Sequence, residues 1–259
     1  MSSLDSEGMA GRTYSTEAVV LRSMRLGEAD RVLHLYTEAH GRVGAVAKGV
    51  RKTMSRFGGR LEPLSHVDLV LHRGRGELQT VTAAQLVRSH REVREDYYRF
   101  SVGTIGAEAM LRLFSEEEAN ARAFTALTRF LDLLDVAPRA ADRPTLDPLG
   151  LAFQLKLLWL AGYLPHVTAC AECGAEREPL VGYSPRAGGA LCVRCSAAAE
   201  ALALAPDGVA GIEALLARPF ADASRLGLSE RAQRDILRVI TASYEYHGGF
   251  RLRTLSASA

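Results

Sequence analysis

Arg31-Val32-Leu33-His34-Leu35-Tyr36-Thr37 and Arg42-Val43-Gly44-Ala45-Val46-Ala47-Lys48, separated by the turn signal His40-Gly41, are the stretch on which the fold is decided. Both runs are short, β-rich and bounded by turn formers, which reads as two strands. Working outward, Thr16 to Ser23 precedes them across Gly27-Glu28, while Val67 to Arg73 and Leu78 to Leu86 follow, divided by Gly74-Arg75-Gly76. Five short strands between Tyr14 and Val87 predict a small barrel. A five-stranded Greek-key barrel that binds oligonucleotides across one face is the OB-fold, although strand number alone leaves an SH3-like barrel open. The strand pattern lapses in the connection from Gly49 to Pro63, between the third and fourth strands.

After Arg88 the apolar residues recur at three- and four-residue spacing through Tyr97 to Phe114, Ala121 to Leu134 and Leu149 to Leu160, which predicts helices. Ala137 to Pro148 reads as a loop, and Pro165 ends the last of these helices. The helical pattern resumes at Gly208 to Ala217 and Ser229 to His247, where Gly248-Gly249 stops it. No internal repeat is visible. The expected architecture is α+β in two domains: an OB-fold nucleic-acid-binding domain over residues 1–88, and a helical domain over 89–259 with a four-cysteine zinc knuckle inserted at about 166–200.

The chain has 259 residues, 47% hydrophobic and 24% charged, the balance of a globular protein and of neither a disordered nor a membrane-embedded one. Its longest apolar stretch, Leu151 to Leu164, is interrupted by Gln154, Lys156 and Gly162 and falls short of the ~20 residues that span a bilayer. The first residues carry Asp5 and Glu7 rather than the basic and apolar regions of a secretion signal, so a cytoplasmic protein is expected. The net charge of +2 hides an asymmetry. Residues 1–94 hold 15 Lys and Arg against 10 Asp and Glu, leaving 17 against 20 for the remainder. A basic N-terminal third suggests a module that binds a polyanion.

All four cysteines fall in one window, as Cys170-x-x-Cys173 and Cys192-x-x-Cys195. Two such knuckles close a tetrahedron around a metal, and Zn²⁺ suits four thiolates best. A shell of four thiolates leaves no position for water, so the metal is expected to be structural. Gly174 lets the first turn bend back on its sulfurs, and Arg177, Arg186 and Arg194 stand near enough in sequence to offset their charge. Two disulfides or four free thiols are the bland alternative, which the absence of an export signal disfavours. A thiol-exchange role needs a βαβ setting that this region lacks.

Between Arg42 and Arg60 the chain carries Arg42, Lys48, Arg51, Lys52, Arg56 and Arg60 and no acidic residue. Interspersed glycines permit close approach to phosphates, Phe57 is a candidate for stacking on a base, and Arg22, Arg25 and Arg31 extend the surface. The alternative is a solvated loop whose charges serve only solubility. No phosphate-binding Gly-x-x-x-x-Gly-Lys loop, His-Glu-x-x-His or Gly-x-Ser-x-Gly turn is present, so no catalytic residue is assigned and no enzyme is expected. Glu116-Glu117-Glu118 reads as the solvated face of a helix. The seven histidines read as structural.

Several segments resemble the RecO family of recombination mediators. They are Val19-Val20-Leu21-Arg22, Leu26-Gly27-Glu28-Ala29-Asp30-Arg31, Tyr36 to Arg42, Ala45 to Arg51, and Ser55-Arg56-Phe57-Gly58-Gly59-Arg60-Leu61-Glu62-Pro63, followed by Phe153 to Leu158, Ala161 to Pro165, Gly188 to Cys192 and Tyr246 to Leu255. The resemblance spans about residues 14–255. It implies a non-enzymatic, cytoplasmic and nucleoid-associated protein of the RecF pathway, one that binds single- and double-stranded DNA and anneals complementary strands. It further implies that the protein cooperates with RecR to load RecA onto DNA coated by single-strand-binding protein (SSB). In the family the helical domain receives the acidic, apolar C-terminal tail of SSB, which calls for an apolar groove edged by Lys or Arg, and Arg112, Arg122, Arg129 and Lys156 are available. An RNA-binding or transcription-associated zinc-knuckle protein remains the alternative, and a hydrolase acting on nucleic acid a more distant one.

Overall fold

The computed structural model describes residues 13–51, 55 and 57–256. Five strands appear where short β-rich runs predict them: β1 (Thr13–Leu26), β2 (Asp30–Thr37), β3 (Gly41–Ala47), β4 (His66–His72) and β5 (Gln79–Arg88). β1 is antiparallel to both β2 and β4, β2 to β3, and β4 to β5, while β3 and β5 run parallel through Ala45 and Gln79. These pairings close a barrel in the order β1-β2-β3-β5-β4, which is an OB-fold and not an SH3-like barrel. β1 serves two partners because a shift of register between Val20 and Arg22 bends it; its first half pairs with β4 and its second with β2.

Alternation along the strands sends Leu33 and Leu35, Val43, Ala45 and Ala47, and Val67, Leu69 and Leu71 inward, where they are buried with Ala18, Val20 and Val81. The connection between β3 and β4 contains a 3₁₀ turn at Gly58–Leu61, and it contributes Phe57 and Leu61 to the same core. The turn between β2 and β3 needs Gly41: its φ is +62°, and a Cβ there would lie 2.0 Å from the Glu118 carbonyl oxygen.

The chain divides into two compact units, one comprising the described residues up to Glu95 with Phe114–Leu131, the other Asp96–Leu113 with the described residues from Asp132 onward. This grouping differs from a single cut at residue 88. Phe114–Leu131 belongs with the barrel because Phe114 meets Tyr36 edge-on at 5.6 Å, Phe124 meets His66 at 5.6 Å, and Glu116 pairs with Arg42.

The second unit holds α2 (Tyr97–Leu113), α4 (Pro148–Leu160), α6 (Pro206–Ala217) and α7 (Glu230–Ser243); α1 (Arg91–Glu95) lies in the barrel unit, and α3 (Ala121–Val136) starts there. α4 is its central element, with Leu149, Leu151, Ala152, Phe153, Leu155, Leu157 and Leu158 all buried. Asp147 starts it, accepting from the amides of Leu149 and Gly150, each at 3.0 Å, and its other oxygen takes the Tyr98 hydroxyl at 2.8 Å. Ser229 caps α7 through the Ala232 amide, a π turn continues it over Tyr244–Gly248, and Gly249 ends it with φ +66°. The expected loop from Ala137 to Pro148 contains a 3₁₀ turn at Pro144–Leu146.

Between α4 and α6 the chain makes a three-stranded sheet, β6 (Leu180–Ser184), β7 (Gly189–Cys192) and β8 (Leu202–Ala203), with a short helix α5 (Val193–Ala198). Periodicity does not reveal these strands. Buried Tyr183 ties the sheet to the helices, its hydroxyl sharing a 2.7 Å hydrogen bond with Ser243 Oγ of α7. Among the described residues, no helix is long and apolar enough to cross a membrane.

Candidate metal centre and nucleic-acid interface

The four cysteines converge. Their Sγ atoms all lie within 4.8 Å of one another, and Cys173 and Cys192 are 3.8 Å apart. Four sulfurs ~2.3 Å from a common centre at tetrahedral angles would stand ~3.8 Å from each other, so the cluster has the dimensions of a closed metal shell. The first knuckle is a tight turn: Gly174 donates its amide to the Cys170 carbonyl at 2.8 Å and adopts φ +73°. Cys192 ends β7, and Cys195 stands on α5, one turn further on. Hydrogen bonds from the Ala171 amide to Ala190, and from the Cys170 amide to Ala175, fasten the first knuckle beside the second.

Electrostatics favours a cation at the centre of the four sulfurs. Desolvation works to raise the Cys170 pKa, yet backbone donors from Cys192, Cys173 and Glu172 bring it down to about 6. Cys195 is pushed up to about 12, chiefly by its hydrogen bond with Cys173 and then by desolvation. Four sulfurs this close cannot all ionise without a positive charge among them. Arg194, expected to offset that charge, is 3.2 Å from Glu178.

The basic residues are distributed around the barrel. Arg22 is exposed on β1 and sits directly opposite His34 of β2, so both share the outer face. Arg42 stands on the outer face of β3, opposite Tyr36, and its guanidinium is 2.7 Å from Glu116. Burial, followed by the charges of Arg22 and Arg42, lowers the His34 pKa, with Glu116 acting in the opposite sense. Arg22 and Arg42 thus flank His34 on one face, and burial together with their charges holds its imidazole in the neutral form. Arg31 falls on the opposite parity of β2, where it donates to Ser23 Oγ at 3.1 Å and approaches Glu62 to 3.6 Å.

Lys48 and Arg51 are exposed in the turn after β3, held against the turn before β2. The Arg51 amide bonds to the Ala29 carbonyl, its guanidinium to the Glu28 carbonyl at 2.9 Å, and the Gly49 amide to Asp30 Oδ1 at 2.7 Å. Exposed Arg60 donates to the Phe57 carbonyl. Lys52 and Arg56 lie outside the described residues.

The structure overturns two expectations. Phe57 is 1% exposed and belongs to the barrel core, so its ring is not presented to a base. Glu116-Glu117-Glu118 is not helical; Glu116 forms a bridge to Arg42 and Glu117 has φ +58°. His66, one of the histidines that read as structural, places Nε2 2.8 Å from Glu17 Oε2.

The second unit contains a groove of about 510 Å³ lined by Lys156, Trp159, Leu164, Val167, Glu213 and Leu216, among others. Trp159 is 50% and Leu164 48% exposed. Lys156 extends its ammonium to the Leu216 carbonyl at 3.0 Å, beside the Phe220 ring. Trp159 follows a run of buried α4 residues in sequence, and only the structure distinguishes it from them.

The two halves of this architecture correspond to two known domains. Residues 9–90 match the domain described as Recombination protein O N terminal, and residues 94–256 match Recombination protein O C terminal. The chain is 40% identical over 226 residues to DNA repair protein RecO of Rubrobacter xylanophilus, covering 85% of this chain and 88% of that protein. It is 42% identical over 212 residues to DNA repair protein RecO of a Nocardioides species, covering 80% and 84%. It is 37% identical over 235 residues to DNA repair protein RecO of Heliobacterium modesticaldum, covering 88% and 83%. With both domains matched in order, the chain belongs to the RecO family, that of recombination protein O.

Proposed function

We propose that this protein is a non-enzymatic mediator of DNA repair and homologous recombination in the RecF pathway. It binds single- and double-stranded DNA, anneals complementary strands and, with RecR, helps load RecA onto SSB-coated single strands. The observation that carries this reading is identity of 37–42%, over at least 80% of the chain, to proteins named DNA repair protein RecO. Arg22 and Arg42 on the outer face, with exposed Lys48 and Arg51 in the turn after β3 and Arg31 and Arg60 as further basic groups of the barrel unit, support phosphate binding on the β2–β3 side of an OB-fold. Such a protein acts at the nucleoid. The metal is Zn²⁺, one per chain, held by Cys170, Cys173, Cys192 and Cys195; it fixes the knuckle and takes no part in chemistry.

The SSB tail, acidic and apolar, fits the groove at Lys156, Trp159 and Leu164 by chemistry: an ammonium at the edge for a carboxylate and exposed apolar side chains for its hydrophobic end. Lys156 is the member of the four basic candidates that lines it.

The test is annealing of complementary oligonucleotides, bare and SSB-coated, by zinc-analysed protein at two salt concentrations. Salt-sensitive acceleration on coated strands is expected. Binding without acceleration on coated strands would move the reading to an RNA-binding or transcription-associated zinc-knuckle protein.

A further inference from the structure

The segment that follows α2 returns to the barrel and lies on the outer face of the β2–β3 hairpin. Its Phe114 ring meets Tyr36 edge-on at 5.6 Å, and its Glu116 carboxylate meets the Arg42 guanidinium at 2.7 Å. The Glu117 amide donates to the Arg42 carbonyl at 3.1 Å, and the Glu118 backbone is so close to Gly41 that a Cβ there would collide with it. Tyr36 lies on the outer face of β2, where a tyrosine is normally open to solvent, yet it is 0% exposed. Its hydroxyl has no hydrogen-bond partner among the described residues. Burying a hydroxyl without a partner is costly, so this cover is held at an energetic disadvantage that a different occupant could relieve.

An OB-fold presents its strand 2–3 face to oligonucleotides, with aromatic rings for bases and cations for phosphates. Tyr36 and Arg42 are such a pair, already engaged by a ring and a carboxylate. We infer that Phe114–Glu118 is an intrinsic occupant of the nucleic-acid face, its phenyl ring standing where a base stacks and its Glu116 carboxylate where a phosphate binds, and that single-stranded nucleic acid displaces it. This rests on the nucleic-acid-binding reading above and adds to it a built-in competitor. The competitor weakens binding of stray single strands, and release of the segment uncovers Tyr36 for a base. The exposed Glu116 makes exchange facile: its side chain is 69% exposed, so the pair with Arg42 is of the weak, solvent-screened kind.

The experiment follows hydrogen–deuterium exchange of the zinc-loaded full chain with and without saturating single-stranded oligothymidylate. Peptides covering Phe114–Glu118 are expected to exchange faster with the oligonucleotide bound, because the Glu117 amide loses its Arg42 partner, while β2 and β3 exchange more slowly. In parallel, fluorescence anisotropy should show E116Q binding the same oligonucleotide about two- to five-fold more tightly, the scale of an exposed ion pair. D68N removes the charge of the one exposed residue of β4 and should change affinity much less. F114A should tighten binding further where it folds, and E116Q carries the test where it does not. Slowed exchange in β2 and β3 with an unchanged or slowed 114–118 segment overturns the inference and leaves the binding reading intact, as does E116Q no tighter than D68N. A wild-type protein that does not bind the oligonucleotide at all overturns both.

Discussion

Replacing Phe57 by Ala separates two roles that the same residue would play in different places. Phe57 is 1% exposed and sits in a core with Leu33, Leu35, Leu61, Val67 and Leu69. Truncating a fully buried phenyl ring removes its transfer free energy and leaves a cavity, ~3–5 kcal/mol in all. F57L keeps most of the volume and should cost under ~1.5 kcal/mol. A ring that stacked on a base would instead cost ~1–3 kcal/mol of binding, about five- to 150-fold in affinity, with little effect on folding. The assay is amide exchange of β2 and β4, whose slowest protons report the opening free energy of the barrel, alongside anisotropy with single-stranded DNA under conditions where each variant is folded. The expected result is barrel protection lowered by about two to four orders of magnitude in F57A and little in F57L, with the affinity of the folded fraction nearly unchanged. Unchanged protection together with a tenfold or greater loss of affinity would refute the placement of Phe57 in the core.

Chelation should remove about one metal per chain and speed amide exchange across Leu180–Ser184 and Gly189–Cys192, and C173S or C192S should do the same; metal content by mass spectrometry checks both, and less than ~0.5 zinc per chain after metal-free handling counts against the site. Lys48→Ala and Arg51→Ala should weaken binding to all DNA sequences alike and lower the salt slope by ~0.7 each for single strands, read from affinity at several salt concentrations. Asp147 is buried at the start of α4, and burial holds its carboxyl above the ordinary 3.8, only partly opposed by the Gly150 amide, the Tyr98 hydroxyl and the Leu149 amide. A carboxyl whose folded pKa is raised binds protons more readily when folded, so wild type should gain stability relative to D147N as pH falls from the folded value towards 3.8. D147A, which also orphans the cap amides, should cost about 2 kcal/mol by denaturant unfolding at neutral pH.

The barrel strands were legible because each is short, alternates inward and outward residues, and ends at a turn former; Arg31 to Thr37 and Arg42 to Lys48 fall within one residue of β2 and β3 at each end. β1 runs further than its sequence suggests, since a register shift beyond Val20 allows one strand to pair on two sides. The knuckle cysteines were legible for a different reason: a metal shell needs ligands at fixed local spacing, and that spacing is written in Cys-x-x-Cys whatever surrounds it. β6, β7 and β8 were not, because strands of five, four and two residues give periodicity too little length to register.

What the sequence hides most thoroughly is pairing over long separations. Phe57, between Arg56 and Gly58, has the local composition of an exposed basic loop, and it is buried only because the connection folds back across the barrel. Glu116 is 74 residues from Arg42, and nothing in either neighbourhood indicates that they meet. The same separation accounts for the error over the acidic run: three glutamates after a helix read as its solvated end, but a chain that leaves the helical state at Phe114 gains a parallel bridge to Arg42 and an aromatic contact on Tyr36. An anion opposite a guanidinium and a ring against a tyrosine are also the contacts that the phosphate and base of a single strand would make. The feature least visible in the sequence is therefore the one on which the proposed occupancy of the nucleic-acid face rests.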